Sequence, residues 1–356
     1  MQKVTVVPSR STLQPVGGAS QVPGEASTML PSTGGVRFGV RRTLTMELMN
    51  PSEQAAGSAL GEFLRSRRAR LTPATAGVVS YGARRVPGLR REELAQLAGV
   101  SATYYTRLEQ GQSTNASESV IDAIARALNL DEDERTHLRD LARPVRATRS
   151  RPPRPDVARA GTARLIAAMT DVPAVVMGRR SEVLAWNRLG HALLAGHYDL
   201  DAPIRPADRP NLTRMLFLDP HTRDLYARWD AEAARAVASL RLVAGRNRDD
   251  RELADLLGEL TLKSDDFAHL WTQHPVLNCM SGLKHFHHPE VGDFELEFEV
   301  LHLADDSGHR IMTYTAIPGT ASEAALQLLS THTASADHGD RRHPAPRQLG
   351  VELQER

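Results

Sequence analysis

Apolar residues recur at helical spacing through residues 89–111, which have the sequence LRREELAQLAGVSATYYTRLEQG. The spacing predicts two short helices, from about residue 90 to 98 and from about 102 to 110. Gly99 suits the left-handed backbone of the turn between them, and Ser101 is placed to cap the second helix. The pattern therefore indicates a pair of helices joined at a sharp angle.

Three further helices are predicted around this pair. One covers residues 58–70, an amphipathic one covers 117–128, and a third begins at Asp131 with Glu134 in a capping box. The arginines of the first of these helices are predicted to face solvent, some of them toward phosphate: Arg65, Arg67, Arg68 and Arg70. This part of the chain is expected to be a five-helix domain.

The second half of the chain mixes strand and helix patterns. A helix is predicted near residues 159–169, then two strands in 172–186, then a short helix that Asn187 caps. Residues 198–220 are expected to be loop-rich, and helices are predicted at 221–244, 249–262 and 265–273. Strands follow at 283–287, 294–303 and 310–317, and the middle one alternates apolar residues with glutamates. The order predicts an α+β domain, an antiparallel sheet with helices on one face.

Charge is distributed unevenly in this chain of 356 residues, although its net charge is only +1. Residues 61–110 hold nine Arg against four Glu, whereas residues 221–300 hold fifteen acidic residues against nine basic ones. A basic front half favours a DNA-binding role for that half. The single cysteine, Cys279, excludes an internal disulfide and suits the cytoplasm, and no apolar run approaches the roughly 18 residues of a membrane span.

Composition adds the predicted domain boundaries. Residues 144–157 are rich in proline and arginine, which favours an extended linker. The predicted organisation is a disordered extension at 1–56, a DNA-binding domain at 57–143, the linker at 144–157, a PAS-like ligand-binding domain at 158–330 and a disordered tail at 331–356.

The helix pair resembles the helix-turn-helix of Xre-type (Cro-like) transcriptional regulators in its REELAQLAGVS and YYTRLEQG segments. The resemblance implies that the second helix enters the major groove of double-stranded DNA. Arg107 is the predicted base reader, because a guanidinium fits guanine bidentately. The whole predicted DNA-binding set is Arg90, Arg91, Ser101, Ala102, Thr103, Tyr104, Thr106 and Arg107. The alternative is a helical hairpin with no DNA role.

The second half resembles the ligand-binding domain of MmyB-like transcription regulators, in DVPAVVMGRRSEVLAWN, FLDP, FAHLW and KHFHHPEVG. The resemblance implies a PAS-like fold with an apolar pocket for a fatty-acid-like ligand. The residues predicted to bind the ligand are Trp186, Asn187, Arg188, Phe217, Trp229 and Trp271. Alternatively, the aromatic residues are core packing and Asn187 only caps its helix.

No catalytic motif stands out. Cys279, His285, His287 and His288 lie near one another in sequence, but no CxxC or HExxH motif supports a metal, so no metal, cofactor or enzymatic activity is predicted. The first hypothesis is a ligand-responsive, homodimeric transcription regulator. The second is a DNA-bound scaffold whose second domain binds a protein and senses nothing, and the third, a fused enzyme, has no catalytic residues to support it.

Overall fold

The structure is a computed structural model that describes residues 51–78, 84, 86, 88–112, 116–143, 156–305 and 307–340. Residues 1–50 of the predicted disordered extension and residues 144–155 of the predicted linker lie outside the described residues. The prediction of disorder is wrong for residues 51–56, which form the first turns of a helix that begins at Pro51. We refer to residues 51–143 as the first domain and to residues 156–340 as the second domain.

The described part of the first domain contains the five predicted helices. Their bounds are α1 (Pro51–Arg70), α2 (Arg91–Ala98), α3 (Ala102–Glu109), α4 (Glu118–Ala127) and α5 (Glu132–Ala142). The helix pair falls within one residue of its predicted position at each end. Gly99, between α2 and α3, has a φ of 67°, which is the left-handed conformation that the turn requires.

Side-chain caps start three of these helices where the sequence predicts them. The Ser101 hydroxyl accepts the N–H of Tyr104 at 3.1 Å, and Ser117 caps α4. The Asp131 carboxylate accepts the N–H of Glu134 at 2.8 Å, so the predicted capping box is confirmed. The capped helices close around one apolar core, whose largest members are Phe63, Leu64, Leu94, Tyr105, Leu108, Ile124 and Leu138.

Helices α1 and α3 approach so closely that only glycine fits at their crossing. A Cβ on Gly61 would lie 2.1 Å from the carbonyl oxygen of Glu109, well inside van der Waals contact. Since that oxygen belongs to the backbone, it cannot move aside as a flexible side chain can. Gly61 therefore sets how closely α3 packs against α1.

The second domain contains five strands and eight α-helices in its described residues. The helices are α6 (Ala160–Ala167), α7 (Arg188–Ala195), α8 (Leu212–Leu218), α9 (Pro220–Leu225), α10 (Trp229–Arg246), α11 (Arg251–Lys263), α12 (Asp265–Thr272) and α13 (Ala321–Asp340). The strands are β1 (Ala174–Met177), β2 (Val183–Trp186), β3 (Ser281–His288), β4 (Gly292–His302) and β5 (Arg310–Thr315). Throughout the described chain, no helix is both long and apolar enough to cross a bilayer.

The five strands form one antiparallel sheet in the order β2-β1-β5-β4-β3, which confirms the predicted α+β class. On β4, Phe294, Leu296, Phe298 and Val300 are buried while the glutamates between them are exposed. The period-two pattern thus has its expected cause, since one face of the strand meets the core and the other meets water.

The prediction that all helices lie on one face of the sheet is wrong for α6. Ile166 of α6 packs with Val176 and Ile311 in one cluster, whereas their strand neighbours Val175 and Met312 belong to the cluster on the opposite face. Helices α7 and α13 contribute to that opposite cluster, which we call the inner cluster. β1 is therefore buried on both faces, which explains its unbroken apolar run.

Three element predictions need correction. The helix predicted at 221–244 is two helices, because the N–H of Ala227 donates to His285 of β3 and holds the chain extended between α9 and α10. The segment predicted to be loop-rich at 198–220 contains α8, which Asn211 caps. The helix fits between Pro210 and Pro220, so neither proline interrupts it. The tail predicted to be disordered from residue 331 is helical to Asp340, and residues 341–356 lie outside the described chain.

We predict that Gly61→Ala destabilises the first domain by about 1–3 kcal/mol, the usual range for overpacking, because the new methyl group overlaps the Glu109 carbonyl. Gly258→Ala is the matched control: Gly258 is exposed in α11 and a Cβ there meets nothing within 4 Å. It should stabilise the protein by roughly 0.5–1 kcal/mol through helix propensity. Urea unfolding measures both values, and equal effects would contradict the close crossing.

Candidate functional site

The outward face of α3 carries the predicted base-contacting side chains. Thr103 and Arg107, one turn apart, are exposed even with the second domain in place. Ala102, Tyr104 and Thr106 are half-buried, and the first two pack against the core. The exposed surface of α3 is therefore narrow. Arg107 is the only charged side chain of α3 that faces solvent, and it is the longest side chain on that surface.

The inner side of α3 is held by one buried carboxylate. Glu109 is 1% exposed, and Arg68 of α1 donates to it from Nε at 2.6 Å. Arg91 of α2 donates from Nε at 2.5 Å, and the Tyr105 hydroxyl donates at 3.0 Å. Three helices therefore meet at Glu109, and removing one of these donors would leave part of a buried charge uncompensated.

The charge state of Glu109 follows from these donors. Burial alone raises the pKa of a carboxyl group, but the hydrogen bonds from Arg68 and Arg91 outweigh burial and hold the pKa of Glu109 below its usual value. The carboxylate is therefore ionised at neutral pH. The sequence analysis does not predict that Glu109 joins the three helices. Its position, one helical turn after the inward-facing Tyr105, does indicate that it faces the interior.

The two arginines at the start of α2 have different surroundings. The backbone N–H of Arg90 donates to Glu93 at 2.6 Å, and the Arg90 side chain is exposed. Arg84 donates two hydrogen bonds to the same Glu93 carboxylate, at 2.7 and 2.9 Å. The Nε–H of Arg91 donates to Glu109, yet 43% of the Arg91 side chain remains exposed. Both side chains are exposed to solvent, but only that of Arg91 is bonded to Glu109.

Helices α1 and α5 of the first domain contact the second domain. Arg67 of α1 is 4% exposed; it donates to the His274 carbonyl at 2.7 Å and pairs with Glu134 at 2.7 Å. The prediction that the α1 arginines face solvent is thus wrong for Arg67 and for Arg68. Helical spacing from Phe63 already places Arg67 on the apolar face of α1.

Helix α10 supplies the opposite side of this interface. Arg241 is 7% exposed, lies 3.9 Å above the Trp271 ring and bonds the His274 ring nitrogen Nδ1 at 3.1 Å. Gly245 permits the close approach, since a Cβ there would lie 2.7 Å from the His137 ring of α5. Arg246 adds an ion pair with Asp140 at 2.9 Å.

Two histidines are kept neutral in this arginine-rich interface. Burial, with the charges of Arg241 and Arg67, lowers the pKa of His137 to about 3. The same causes in the same order lower the pKa of His274 to about 4. Because both values lie below the usual 6.5, protonation of either histidine opposes docking of the two domains.

Residues 274–280, between α12 and β3, connect the interface to the sheet. His274 contacts Arg67, Val276 packs against the core of the first domain, and the N–H of Asn278 donates to Asp133 of α5 at 2.8 Å. The next residue, Cys279, packs against the inner cluster. We call residues 274–280 the connecting segment, because its side chains and backbone touch both domains.

The predicted ligand-binding aromatics do not form one group. Phe217, Trp229 and Trp271 belong to a cluster between α8, α10, α11 and α12, where Phe217 meets the Trp229 ring edge-on. The Trp229 indole donates to the Leu216 carbonyl at 2.9 Å, and Arg223 covers its ring at 3.8 Å. Trp186 instead packs at the margin of the inner cluster, with its indole N–H bonded to Leu200.

Asn187 is fully engaged in local structure. Its Oδ1 accepts the N–H groups of Ala174 and Gly190, and its Nδ2 donates to the carbonyls of Met169 and Val172. These four bonds use the whole capacity of the amide, so Asn187 has none left for a ligand. The alternative role, a helix cap, is the one that the structure shows, and the neighbouring Arg188 is exposed.

The histidines near Cys279 point in different directions. His288 is buried and bonds the Ala192 carbonyl, whereas His285 and His287 lie on the outer face beside Glu295 and Asp293. Among the described residues, no three His, Cys, Asp or Glu side chains come together in a way that fits a metal ion.

Comparison with protein families assigns both domains. Residues 59–138 match a helix-turn-helix domain family. Residues 158–329 match the MmyB-like transcription regulator ligand binding domain. No curated protein matches the chain. The two matched ranges enclose the α2–α3 pair and the five-stranded sheet, respectively.

We predict that acidification from pH 6.5 to 5 lowers the free energy of unfolding by roughly 1–3 kcal/mol. The stabilisation from neutral His137 and His274 is complete above their usual pKa of 6.5. It is lost as the pH falls toward the lowered pKa values, about 3 for His137 and about 4 for His274. Urea unfolding of the full chain across this range measures the loss.

The matched variant for this prediction is His274→Asn. His274 has a φ of 51°, a left-handed conformation that asparagine tolerates, so the change removes the titrating ring while keeping the backbone. The variant should lose about half of the pH dependence. His269→Asn, at an exposed position on α12, should leave it unchanged. An identical pH dependence in all three proteins would rule out the interface histidines as its cause.

Proposed function

We propose that this chain, a helix-turn-helix protein that carries an MmyB-like transcription regulator ligand-binding domain, binds a specific DNA operator as a homodimer of the Xre type. We propose further that a small lipophilic ligand in the PAS-like second domain controls this binding. The two matched families support the coarser conclusion, a DNA-binding transcription regulator.

The exposed face of α3 carries the DNA-binding proposal. Ser101 caps the helix, Glu109 fixes its inner side, and Thr103 and Arg107 remain exposed at its surface. A guanidinium that bonds O6 and N7 of guanine provides about 1–3 kcal/mol of discrimination between bases. We assign base contact to Arg107 and Thr103, and phosphate or sugar contact to Arg90, Arg91, Ser101, Tyr104 and Thr106, with Ala102 packing nearby.

The small size of this surface supports the homodimer proposal. Helix α3 has eight residues, so one copy reaches only a few base pairs. Two copies bound about 34 Å apart, one helical turn of DNA, add the binding energy of a second half-site. The symmetric operator that this requires is the geometric expectation for the family.

Ligand control is supported by the connecting segment. Its residues contact α1 and α5 of the first domain at one end and the inner cluster of the second domain at the other. A ligand that prefers one arrangement of this segment shifts the balance between docked and released positions of the first domain. The proposed ligand site is the inner cluster, with Trp186 at its margin. Phe217, Trp229 and Trp271 pack in the separate cluster of α8, α10, α11 and α12 and are not part of the proposed site.

We predict that Arg107→Ala lowers the preference for the operator over unrelated duplexes by about tenfold or more, because guanine recognition is lost. General DNA affinity should fall less. Selection from a random duplex library, followed by fluorescence anisotropy, measures both quantities. Arg126→Ala, which removes an exposed arginine from α4, is the matched control and should keep the preference. If Arg107→Ala selects the same operator with undiminished preference, the base-reading assignment fails.

Native mass spectrometry of the full chain tests ligand control. We expect a co-purified lipophilic molecule at one per subunit, and removing it should change operator affinity. Binding of DNA that is unaffected by removal, or a second domain that never carries a small molecule, would favour the scaffold hypothesis over the sensor.

A further inference from the structure

The last turn of α1 caps a helix of the second domain. Arg67 and Arg70 of that turn donate to the carbonyl oxygens of His274 and Gln273, which follow the C-terminal end of α12. A helix ends in carbonyl groups that have no partner within the helix, and a nearby arginine is a favourable partner for them. The first domain therefore supplies part of the cap of a helix that belongs to the second domain.

The second domain caps α5 in the same way. Arg248, in the turn between α10 and α11, donates to the carbonyl oxygens of Leu141 and Asp140 at 3.2 and 3.3 Å, and to that of Arg143. These three residues form the C-terminal end of α5. Because each domain caps a helix of the other, separating the domains removes hydrogen bonds from both helix ends.

The turn of α1 that contacts the second domain also holds the helix pair. Arg68 donates to Glu109, at the end of α3, at 2.6 Å and to the Leu89 carbonyl at 2.7 Å. Leu89 lies two residues before α2 and donates its N–H back to the Arg68 carbonyl at 3.2 Å. Arg67 and Arg70, three positions apart, share one face of α1, whereas Arg68 lies on an adjacent face. One helical turn therefore joins the second domain to α2 and α3.

The reading surface stays accessible in this arrangement. Thr103 and Arg107 of α3 are exposed although the second domain is docked on α1 and α5. An autoinhibitory contact would cover these side chains. Docking leaves them free and adds contacts to the helix that holds α3, so its expected effect on DNA binding is favourable.

We propose that the docked arrangement is the DNA-binding form of the chain, and that Arg67, Arg70 and Arg248 are positioning residues for α3. The second domain fixes the last turn of α1, and Arg68 of that turn fixes Glu109 and with it α3. The proposal rests on the DNA binding and ligand control proposed above and gives the sign of that control. A ligand that favours docking raises DNA affinity, and one that releases the second domain lowers it.

Hydrogen exchange of the unmodified full chain tests the proposal, because coupling between two binding equilibria is reciprocal. If the docked form binds DNA, then DNA must favour docking. We expect a duplex selected from a random library to slow exchange of the Asn278 amide, which donates to Asp133 of α5, about fivefold or more, the lower end of usual coupling. The Leu253 amide, which donates to Asp250 within the second domain, is the internal control and should exchange at an unchanged rate.

Faster exchange of the Asn278 amide in the presence of the duplex, or an unchanged rate, overturns the proposal. The first result would mean that DNA binds the released form, and the second that docking and DNA binding are independent. In both cases the chain still binds DNA, so only the sign of control is lost. A chain that binds no duplex at low salt would refute the proposed function itself.

Arg248→Ala provides a second test, because it removes a cap of α5 without altering α1 or α3. We expect affinity for the selected duplex to fall about fivefold or more. The salt dependence should stay the same, since only loss of a direct phosphate contact lowers the salt slope, by about 1. Arg251→Ala, at an exposed arginine that begins α11, is the matched control and should keep the affinity. Undiminished affinity of Arg248→Ala, or a lower salt slope, contradicts the positioning role.

Discussion

The ionised carboxylate of Glu109 holds the first domain together at the place where its function requires rigidity. Arg68 from α1, Arg91 from α2 and Tyr105 from α3 converge on it in the interior. Removing one partner from such a group leaves a buried charge uncompensated, so the three helices keep a fixed mutual orientation. The same contacts fix the narrow outer face of α3, because a side chain is only as well placed as the helix that carries it.

A second polar contact joins the two domains, and its chemistry differs from the first. Arg67 bonds the His274 carbonyl and Arg241 bonds the His274 ring, and burial lowers the pKa of each arginine to about 10. Two positive charges therefore lie close together at His274. At Glu109, by contrast, the donors compensate a negative charge. Contacts of this kind are less favourable than a closed ion pair.

Local patterns in the sequence predict the parts of the fold that local forces decide. The α2–α3 pair, the caps at Ser101 and Asp131, and the alternation of β4 depend on residues a few positions apart, and all three are confirmed. The break before α10 depends on pairing with β3, far along the chain, which no local pattern contains. The same holds for α6 on the outer face of the sheet.

Candidate sites follow the same division. The exposure of Arg107 could be predicted because helical periodicity assigns its face, whereas the partners of Glu109 come from three helices. The predicted aromatics fall into two clusters because the size of a ring says nothing about which layer it packs in.

The connecting segment also determines which part of this protein can be exchanged as a unit with another protein. Val276 packs against the core of the first domain although it belongs, in chain order, to the second. A hybrid regulator that joins this first domain to a foreign sensor at the proline-rich boundary would leave a gap where Val276 sat and arginines without their acceptors. The exchangeable module is consequently larger than either domain, and it includes the loop that precedes β3.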